Sequence, residues 1–341
     1  MPPLVIWRAG EAAMVTDAHL RHYAESVPGT GLAIVEATTV APEGRLAATQ
    51  LGLFNDAQVP GLRDLARSIR RSGALPAIQL HHAGAKTNSE KTYGRTPVAP
   101  SPRDDGAVDV LDEEGIYRIL GAFTAAARRA LEAGFELLEL HGAHGYLGAQ
   151  FLSPLTNRRE DQWGGTPEKR RRFLLELVRR VRREIDGTAL LSVRLGVAEG
   201  AEGGLTVEDG VATARALEQA GVDLIHVSHA GSQPAPLDPE ADFDPLLQLA
   251  KPVKESVSLP VIGVGGVTQP KQGEAALAAG YCDLVAVGRA ILADPGFARK
   301  TVEGKGDQIV ECRRCEPRCF HHSDPKRCPA RNRLGIQPPG C

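Results

Sequence analysis

The chain has 341 residues and carries 40 Lys and Arg against 42 Asp and Glu, so its formal net charge is −2 at neutral pH. This balance argues against a protein dedicated to binding nucleic acid or an anionic membrane surface. Hydrophobic residues make up 42% of the chain, which is enough material for the core of a soluble globular protein. No apolar stretch approaches the roughly 18 residues that a membrane span needs, and the first residues lack the features of a secretory leader. The sequence therefore predicts a cytoplasmic enzyme.

Short apolar runs rich in β-branched residues alternate with segments of helical periodicity, such as Pro167–Ile185 and Asp244–Glu255. Eight strands alternating with helices is the number found in a (β/α)8 TIM barrel of the α/β class. A doubly wound parallel sheet is the alternative, which the absence of a G-x-G-x-x-G motif after the first strand makes weaker. The predicted strands are Leu4–Trp7, Gly31–Thr38, Leu75–His81, Glu136–His141, Leu190–Leu195, Asp223–Ser228, Pro260–Val264 and Asp283–Val287.

The composition changes after about Lys300, where glycine, proline, arginine and cysteine replace the periodic pattern. This change predicts a barrel domain over residues 1–300 and a short Cys-rich C-terminal module over residues 301–341. Within the barrel, the long proline-containing segment Thr87–Asp112 is predicted to cap the barrel mouth.

Five of the six cysteines lie within the last thirty residues, and only Cys282 lies in the body of the chain. A secreted disulfide scaffold would distribute its cysteines, whereas a local cluster in a reducing compartment indicates metal binding. The pattern C-x2-C-x3-C-x8-C supplies the predicted metal ligands Cys312, Cys315, Cys319 and Cys328.

A TIM barrel carries its chemistry at the C-terminal ends of its strands, and barrels often bind phosphate after strands seven and eight. Those two strand ends here carry Gly265, Gly266, Gly288 and Arg289. Glycine lets backbone N–H groups approach an anion, and arginine adds charge. The pattern therefore favours phosphate binding over simple turn chemistry.

The end of the predicted fourth strand carries His141, His144 and Tyr146. Two histidines three residues apart could bind a metal, donate hydrogen bonds in a pocket, or be ordinary polar loop residues. A catalytic zinc site usually has three protein ligands, and the spacing offers no third. Three polar groups at one strand end favour a role in a pocket. Arg194 lies inside an apolar strand, where a buried cation needs a partner charge. Either a structural ion pair or a functional site would explain its position.

The segment from His141 to Phe173, HGAHGYLGAQFLSPLTNRREDQWGGTPEKRRRF, resembles the signature segment of the old yellow enzyme family of FMN-dependent oxidoreductases. Four further segments resemble the same family in the same order: Glu36–Arg45, Gln79–Lys86, Val261–Val267 and Asp283–Lys300. The resemblance covers nearly all of residues 1–300. It implies a flavin barrel that takes electrons from NAD(P)H and has its phosphate site on the turns identified above.

The resemblance also implies roles for individual residues. His141 and His144 would hydrogen-bond the carbonyl oxygen of an α,β-unsaturated substrate, an enone or enoate, while hydride passes from flavin N5 to its β-carbon. Tyr146 would protonate the α-carbon. Arg194 would lie beside N1 and O2 of the flavin and stabilise negative charge on the reduced ring. The implied cofactor-binding residues are Ala37, Gln79, Arg194, Gly265, Gly266, Gly288 and Arg289.

The cysteine cluster resembles that of the 2,4-dienoyl-CoA reductase and 2-enoate reductase branch, which is related to trimethylamine dehydrogenase. This resemblance implies a [4Fe–4S] cluster held by the four thiolates. The last gap is shorter than in that branch and contains His321 and His322, so a zinc site of four thiolates, or of three thiolates and an imidazole, is the alternative.

Relatives that carry this cluster usually continue into a second domain that binds FAD and NAD(P)H, whereas this chain ends soon after Cys328. We therefore expect electrons to come from NAD(P)H at the barrel or from a separate electron-donor protein through the cluster. An ene-reductase is the predicted function, an amine dehydrogenase or an electron-transfer protein the alternatives. Family members often associate, which allows a homo-oligomer, and the residues specify neither the oligomeric state nor the substrate.

Overall fold

A computed structural model describes residues 1–315, 319 and 327–335. Seven of its strands form one parallel sheet in which neighbours in space follow one another along the chain, and the two shortest pair with each other in the segment predicted as a cap. The strands are β1 (Leu32–Thr39), β2 (Leu75–His81), β3 (Val98–Ala99), β4 (Asp109–Val110), β5 (Leu137–Gly142), β6 (Leu190–Gly196), β7 (Leu224–Ser228), β8 (Val261–Val264) and β9 (Leu284–Ala286).

Helices separate the strands of the large sheet. Thr166 accepts a hydrogen bond from the Lys169 amide and Thr206 one from the Asp209 amide, so each caps the start of a long helix. No helix among the residues described has the length and apolar character needed to cross a bilayer. The helices are α1 (Asp17–Ser26), α2 (Val59–Arg71), α3 (Glu113–Glu132), α4 (Leu147–Leu152), α5 (Pro167–Ile185), α6 (Val207–Gln219), α7 (Pro245–Gln248), α8 (Ala250–Lys254), α9 (Pro270–Ala278), α10 (Arg289–Ala293), α11 (Phe297–Val302) and α12 (Pro329–Leu334).

The sheet is apolar on both faces, as expected of parallel strands covered by helices. Its outer face packs against the helices in one large core, and its inner face encloses a small apolar cluster at the N-terminal ends of the strands. This arrangement confirms the predicted α/β barrel and leaves the C-terminal strand ends for polar residues. The inner cluster consists of Ile34, Ala77, Leu137, Leu224, Ile262 and Ala286.

The prediction of a first strand at Leu4–Trp7 is wrong. The amide of Ile6 donates to the Oε2 atom of Glu36 at 2.7 Å, and not to a backbone carbonyl of a neighbouring strand. Pro2 and Pro3 precede the segment and cannot donate to a ladder because they lack an N–H group. The run is apolar enough for a strand but lies beside β1 without joining it, so the large sheet has seven strands among the described residues.

The C-terminal part of the chain packs against the end of the barrel. Cys328 and Ala330 form a small apolar cluster with Ala293 of α10. Arg331 is 1% exposed and donates to Glu25 Oε2 of α1 at 3.2 Å. Helix α11 runs across residue 300, so the division between a barrel domain and a Cys-rich module at that position stays a prediction.

Candidate active site

The carboxyl ends of four neighbouring strands bring five polar side chains together. In the register of the sheet, Gln79 pairs with Glu139, and Arg194 pairs with both His141 and His226. Because Glu139 and His141 are two residues apart on β5, their side chains point to the same face. The strand alternation thus places all of them towards one side of the sheet.

Glu139 is the centre of a buried hydrogen-bond network. Gln79 Nε2 donates to Glu139 Oε1 at 2.7 Å, and His226 Nδ1 donates to Glu139 Oε2 at 2.8 Å. Burial alone would raise the pKa of Glu139, but His226, Arg194 and Gln79 outweigh it and lower that pKa. A carboxylate therefore persists inside the barrel, and it orients the Gln79 amide predicted to contact the flavin.

Arg194 is a buried cation with an unsatisfied donor. Its side chain is 8% exposed, and its Nε atom has no hydrogen-bond partner. Burial lowers the pKa of Arg194, while the charge of Glu139 and the phenol of Tyr146 oppose that shift. A guanidinium stays protonated in proteins, so Arg194 brings positive charge to the cavity that it lines.

His141 and His144 form a hydrogen-bonded pair. The Ala143 amide donates to His141 Nδ1 at 3.2 Å, so the proton of His141 resides on Nε2, which donates to His144 Nδ1 at 3.3 Å. His144 Nε2 then carries a proton and donates to Ser228 Oγ at 2.6 Å. Burial, helped by nearby Arg194, lowers the pKa of both histidines well below 6.5. Both imidazoles are therefore neutral hydrogen-bond donors at neutral pH.

The loop that carries this pair is held in an unusual backbone geometry. His144 has a φ of 59°, in the left-handed region that side chains other than glycine rarely adopt. Its amide donates to the His229 carbonyl at 3.0 Å, and Lys86 Nζ donates to the His144 carbonyl at 2.7 Å. The tertiary contacts on both sides of the residue fix the direction of its imidazole.

Tyr146 lies against the histidines at the start of α4. Its ring meets those of His141 and His81 edge to face, with centroid distances of 4.9 and 4.5 Å. Burial raises the pKa of Tyr146 to about 12, although Arg194 opposes the shift. The phenol is therefore protonated at every physiological pH. The structure brings His141, His144 and Tyr146 together as the strand-end argument expects, and their catalytic roles stay predictions.

Sequence reasoning assigned no role to three residues that contact this group, although His81 lies at a strand end that it identified. Ser228 ends β7 and Lys86 follows β2, so the strand-end rule applied to every strand would have found the first and suggested the second. His81 is also fully buried, and neither of its ring nitrogens has a hydrogen-bond partner. Burial lowers the pKa of His81 to about 3. Its ring is therefore uncharged at neutral pH and packs against Tyr146.

The turn after β8 has a geometry that only glycine accommodates. Gly265 and Gly266 have φ values of 141° and 66°. A Cβ atom on Gly265 would lie 2.8 Å from Asp244 Oδ1, and one on Gly266 would lie 2.7 Å from Asp244 Cβ. By contrast, Gly288 has a φ of −102°, so its conformation alone does not require glycine. The close packing of this turn against Asp244 therefore requires both adjacent glycines.

A cavity of about 170 Å³ extends from this turn to Arg194. Gly265, Gly266, Gly288 and Arg289 line it, so the residues predicted to bind phosphate face one space that also contains the buried guanidinium. Ala37 is buried on β1, and its carbonyl accepts a hydrogen bond from Gln50 Nε2 at 2.7 Å. A buried cation and a glycine turn fit the phosphate end of a flavin mononucleotide, whereas Ala37 and Gln79, predicted to contact its ring, do not line this cavity.

The four cysteines of the C-terminal pattern line one small cavity against α10. Within residues 1–315, 319 and 327–335, no three His, Cys, Asp or Glu side chains form a geometry that could hold a metal ion. His321 and His322, the alternative zinc ligands, lie outside the described residues. The cysteines therefore come together, and metal binding by Cys312, Cys315, Cys319 and Cys328 stays a prediction.

The barrel and its site define a class of flavin-binding α/β oxidoreductases, and comparison with known proteins identifies the family. Residues 1–308 match the model of the NADH:flavin oxidoreductase / NADH oxidase family. The chain belongs to this family, which confirms the predicted relation to the old yellow enzymes.

Two curated relatives are a NADH oxidase from Thermoanaerobacter brockii and a NADPH dehydrogenase from Bacillus cytotoxicus. The first is 40% identical over 331 residues, which cover 94% of this chain and 50% of that protein. The second is 38% identical over 317 residues, which cover 91% of this chain and 89% of that protein. The chain thus spans half the length of the NADH oxidase.

Solved structures show the same fold. A 2-naphthoyl-CoA reductase in complex with 2-naphthoyl-CoA superimposes with a TM-score of 0.86 at 28% identity, covering 94% of this chain and 52% of that one. An old yellow enzyme homologue from Zymomonas mobilis gives a TM-score of 0.77 at 27% identity, with 89% and 88% coverage. Histamine dehydrogenase from Rhizobium sp. 4-9 gives 0.79 at 27% identity, with 91% and 46% coverage.

Proposed function

We propose that the chain is an FMN-dependent ene-reductase that uses NAD(P)H to reduce the C=C bond of an α,β-unsaturated carbonyl compound. The observation that carries this proposal is the neutral histidine pair, in which His141 Nε2 lies 3.3 Å from His144 Nδ1. The protonated phenol of Tyr146 packs against the His141 ring. Two neutral N–H donors and one neutral acid are the groups that a carbonyl oxygen and a carbanion-like carbon require.

The cofactor would occupy the space between Arg194 and the turn after β8. Ala37, Gln79 and Arg194 would contact the flavin ring, and Gly265, Gly266, Gly288 and Arg289 would hold its phosphate. When bound, FMN supplies hydride transfer, from NAD(P)H to the ring and from the ring to substrate. Arg194 then contributes a positive charge in a buried site, where charge stabilisation is stronger than in water.

The histidine pair would bind the carbonyl oxygen of the substrate. His141 Nε2–H would turn from His144 to an incoming oxygen, and His144 Nε2–H would share its hydrogen bond between that oxygen and Ser228, its present acceptor. Donation to the oxygen draws electron density from the C=C bond and makes the β-carbon more electrophilic. Because both rings are neutral, they stabilise developing charge on the oxygen without first protonating it.

Tyr146 would give its phenolic proton to the α-carbon after hydride reaches the β-carbon. The enolate formed at that point is a strong base, so a phenol with a pKa of about 12 can still donate to it. Packing against His141 and His81 holds the ring in place, which replaces a bimolecular encounter with a positioned donor.

The source of electrons and the cysteine cluster are part of the same proposal. NAD(P)H is the proposed donor at the barrel, and a separate electron-donor protein could deliver electrons through a [4Fe–4S] cluster on Cys312, Cys315, Cys319 and Cys328. Zinc on the same cysteines would provide structure only. A cytoplasmic location, where thiols stay reduced, and a homo-oligomeric state belong to this proposal as well.

Amine oxidation is the second candidate, because histamine dehydrogenase shares the fold over 91% of this chain. The histidine pair favours the first candidate, since an amine nitrogen does not need two neutral N–H donors.

The test is anaerobic purification with quantification of flavin, iron and zinc, followed by assays with cyclohexenone-type acceptors and with methylated amines. We expect one FMN per chain and NAD(P)H-dependent reduction of the enone, which His141→Ala reduces strongly. Absence of flavin from the anaerobic sample would contradict the proposal. Turnover of amines but not of enones would support the second candidate instead.

A further inference from the structure

The cavity at the turn after β8 has one wall that does not come from the barrel. Cys312 and Arg314, both in the segment predicted to bind metal, line the cavity together with Gly265 and Gly266. Glu311 anchors this segment, since its Oε1 accepts a hydrogen bond from Thr268 Oγ1 at 2.8 Å. The segment that follows the barrel therefore crosses the space assigned to the flavin phosphate.

Arg314 makes direct contact with the turn. Its Nη2 atom donates a hydrogen bond to the carbonyl oxygen of Gly266. Gly266 is one of the two residues that a Cβ atom would bring into collision with Asp244, so this turn already requires special geometry. The contact places a guanidinium at the rim of the cavity, where Arg314 stays exposed to solvent.

The charges around the cavity are unbalanced. Arg194, Arg289 and Arg314 all line it, and in the part of the chain that the structure describes no Asp or Glu oxygen lies within 4.0 Å of their nitrogen atoms. Arg289 and Arg314 are exposed, whereas Arg194 is buried and requires an anion nearby to offset its lost hydration. A phosphate group, which accepts bidentate hydrogen bonds from guanidinium, meets this requirement.

The backbone of Arg314 provides a second observation. Its φ is 48°, in the left-handed region, which costs a residue with a side chain on the order of 1 kcal/mol or more. Its neighbour Arg313 does not line this cavity but faces the space enclosed by the cysteines. The unusual conformation therefore belongs to the arginine that faces the phosphate turn.

We propose that Arg314, between two cysteines of the C-terminal pattern, is a ligand of the FMN phosphate that closes the site from outside the barrel. This inference rests on the proposed flavin site and adds a residue that neither the strand-end rule nor the family resemblance assigns. The flavin phosphate and the cysteine cluster would then be contacted by one continuous stretch of backbone.

The experiment measures flavin binding, not turnover. The full chain is freed of flavin and titrated by fluorescence with FMN and, separately, with riboflavin, which lacks the phosphate. The variants are Arg314→Ala and Arg314→Lys, and Arg313→Ala is the matched control because it removes the same charge from the same segment. Thermal unfolding and metal content are measured on every sample to detect a general disturbance of the segment.

We expect Arg314→Ala to raise the Kd for FMN roughly five- to tenfold while the Kd for riboflavin stays unchanged. Arg314→Lys should retain part of the affinity, and Arg313→Ala should bind both flavins as the original chain does. An FMN affinity unchanged in Arg314→Ala, or an equal loss for FMN and riboflavin, would overturn this inference. Neither result would contradict the proposed function. Failure of the original chain to bind either flavin would contradict the proposed function.

Discussion

The imidazole Nε2 atom of His144 lies 2.6 Å from the Oγ atom of Ser228, 84 residues away at the end of β7. This hydrogen bond links the loop after β5 to the end of β7. Because His144 Nδ1 accepts from His141 at the same time, the Ser228 hydroxyl determines the orientation of the second ring of the pair. Ser228 is therefore a positioning residue for the proposed carbonyl site.

Replacement of Ser228 by alanine should weaken substrate binding. Without its acceptor the His144 ring is free to rotate, and loss of one hydrogen bond of about 1 kcal/mol corresponds to roughly a fivefold increase in the KM for an enone. Steady-state kinetics measure this change, while the rate of flavin reduction by NAD(P)H should stay constant. Ser228→Thr keeps the hydroxyl and should recover most of the affinity. An unchanged KM in Ser228→Ala would show that the hydrogen bond does not orient the ring.

Tyr146→Phe should slow the oxidative half-reaction with an enone by about 10²- to 10⁴-fold, the range typical of a positioned proton donor. The reductive half-reaction with NAD(P)H needs no such proton and should be unaffected. Stopped-flow absorbance of the flavin separates the two. Because the pKa of Tyr146 is about 12, the rate with the original chain should not decline from pH 6 to 9 through ionisation of the phenol. Equal slowing of both half-reactions would argue against a proton donor.

Gly266→Ala should lose flavin, and Gly280→Ala should keep it. The two glycines have nearly the same φ, 66° and 69°, so alanine costs roughly 1 kcal/mol of backbone strain at each. Only at Gly266 would the new Cβ atom collide with Asp244, at 2.7 Å, whereas nothing lies within 4 Å of that atom at Gly280. The flavin-to-protein absorbance ratio and thermal unfolding report the two effects. Retention of full flavin by Gly266→Ala would contradict the assignment of this turn.

His81 should make the fold less stable in acid. Its pKa is about 3 in the folded protein and about 6.5 when unfolded, so the unfolded chain binds more protons below pH 6.5. Stability is therefore lost as the pH falls from 6.5 towards 3, by about 2 kcal/mol at pH 5 for this residue. Urea unfolding of the original chain and of His81→Phe at pH 8 and pH 5 tests the effect. The variant should lose less stability between the two pH values, and an equal loss would show that His81 does not contribute.

Cys315→Ser should remove most of the bound metal, while Cys282→Ser should not. Cys315 lines the cavity that all four clustered cysteines share, whereas Cys282 is buried beside Gly263 in the barrel wall. Elemental analysis for iron and zinc, with the absorbance of the anaerobic protein, distinguishes a cluster from zinc. Equal metal content in both variants would contradict the predicted ligand set.

The sequence predicts most of the strands because parallel strands buried on both faces are short, apolar and rich in β-branched residues. The predicted strand Glu136–His141 and the observed Leu137–Gly142 differ by one residue at each end. Leu4–Trp7 is equally apolar but joins no ladder, since its Ile6 amide donates to the Glu36 carboxylate instead of a strand carbonyl. Composition reports burial and propensity, and it does not report whether a neighbouring strand is available for hydrogen bonding.

The strand-end rule also predicts which polar residues come together, because the ends of parallel strands converge whatever the loops between them do. It places Ser228 near His144 without giving their hydrogen bond, and it could not predict the contact of Arg314 with Gly266, 48 positions away. Such contacts depend on how individual loops cross the barrel mouth. Sequence periodicity carries no information about these paths.

The ion pair of Arg331 with Glu25 joins positions 306 residues apart, and Arg331 also donates to the Leu292 carbonyl at 3.3 Å. A chain cut after Lys300 would therefore lose more than its cysteines. The apolar surface of Ala293 would meet water, and the carboxylate on the first helix would lose its guanidinium. The contact of α12 with α1 thus links the two end regions of the chain. Unfolding of α12 should therefore first destabilise α1, near the N-terminus.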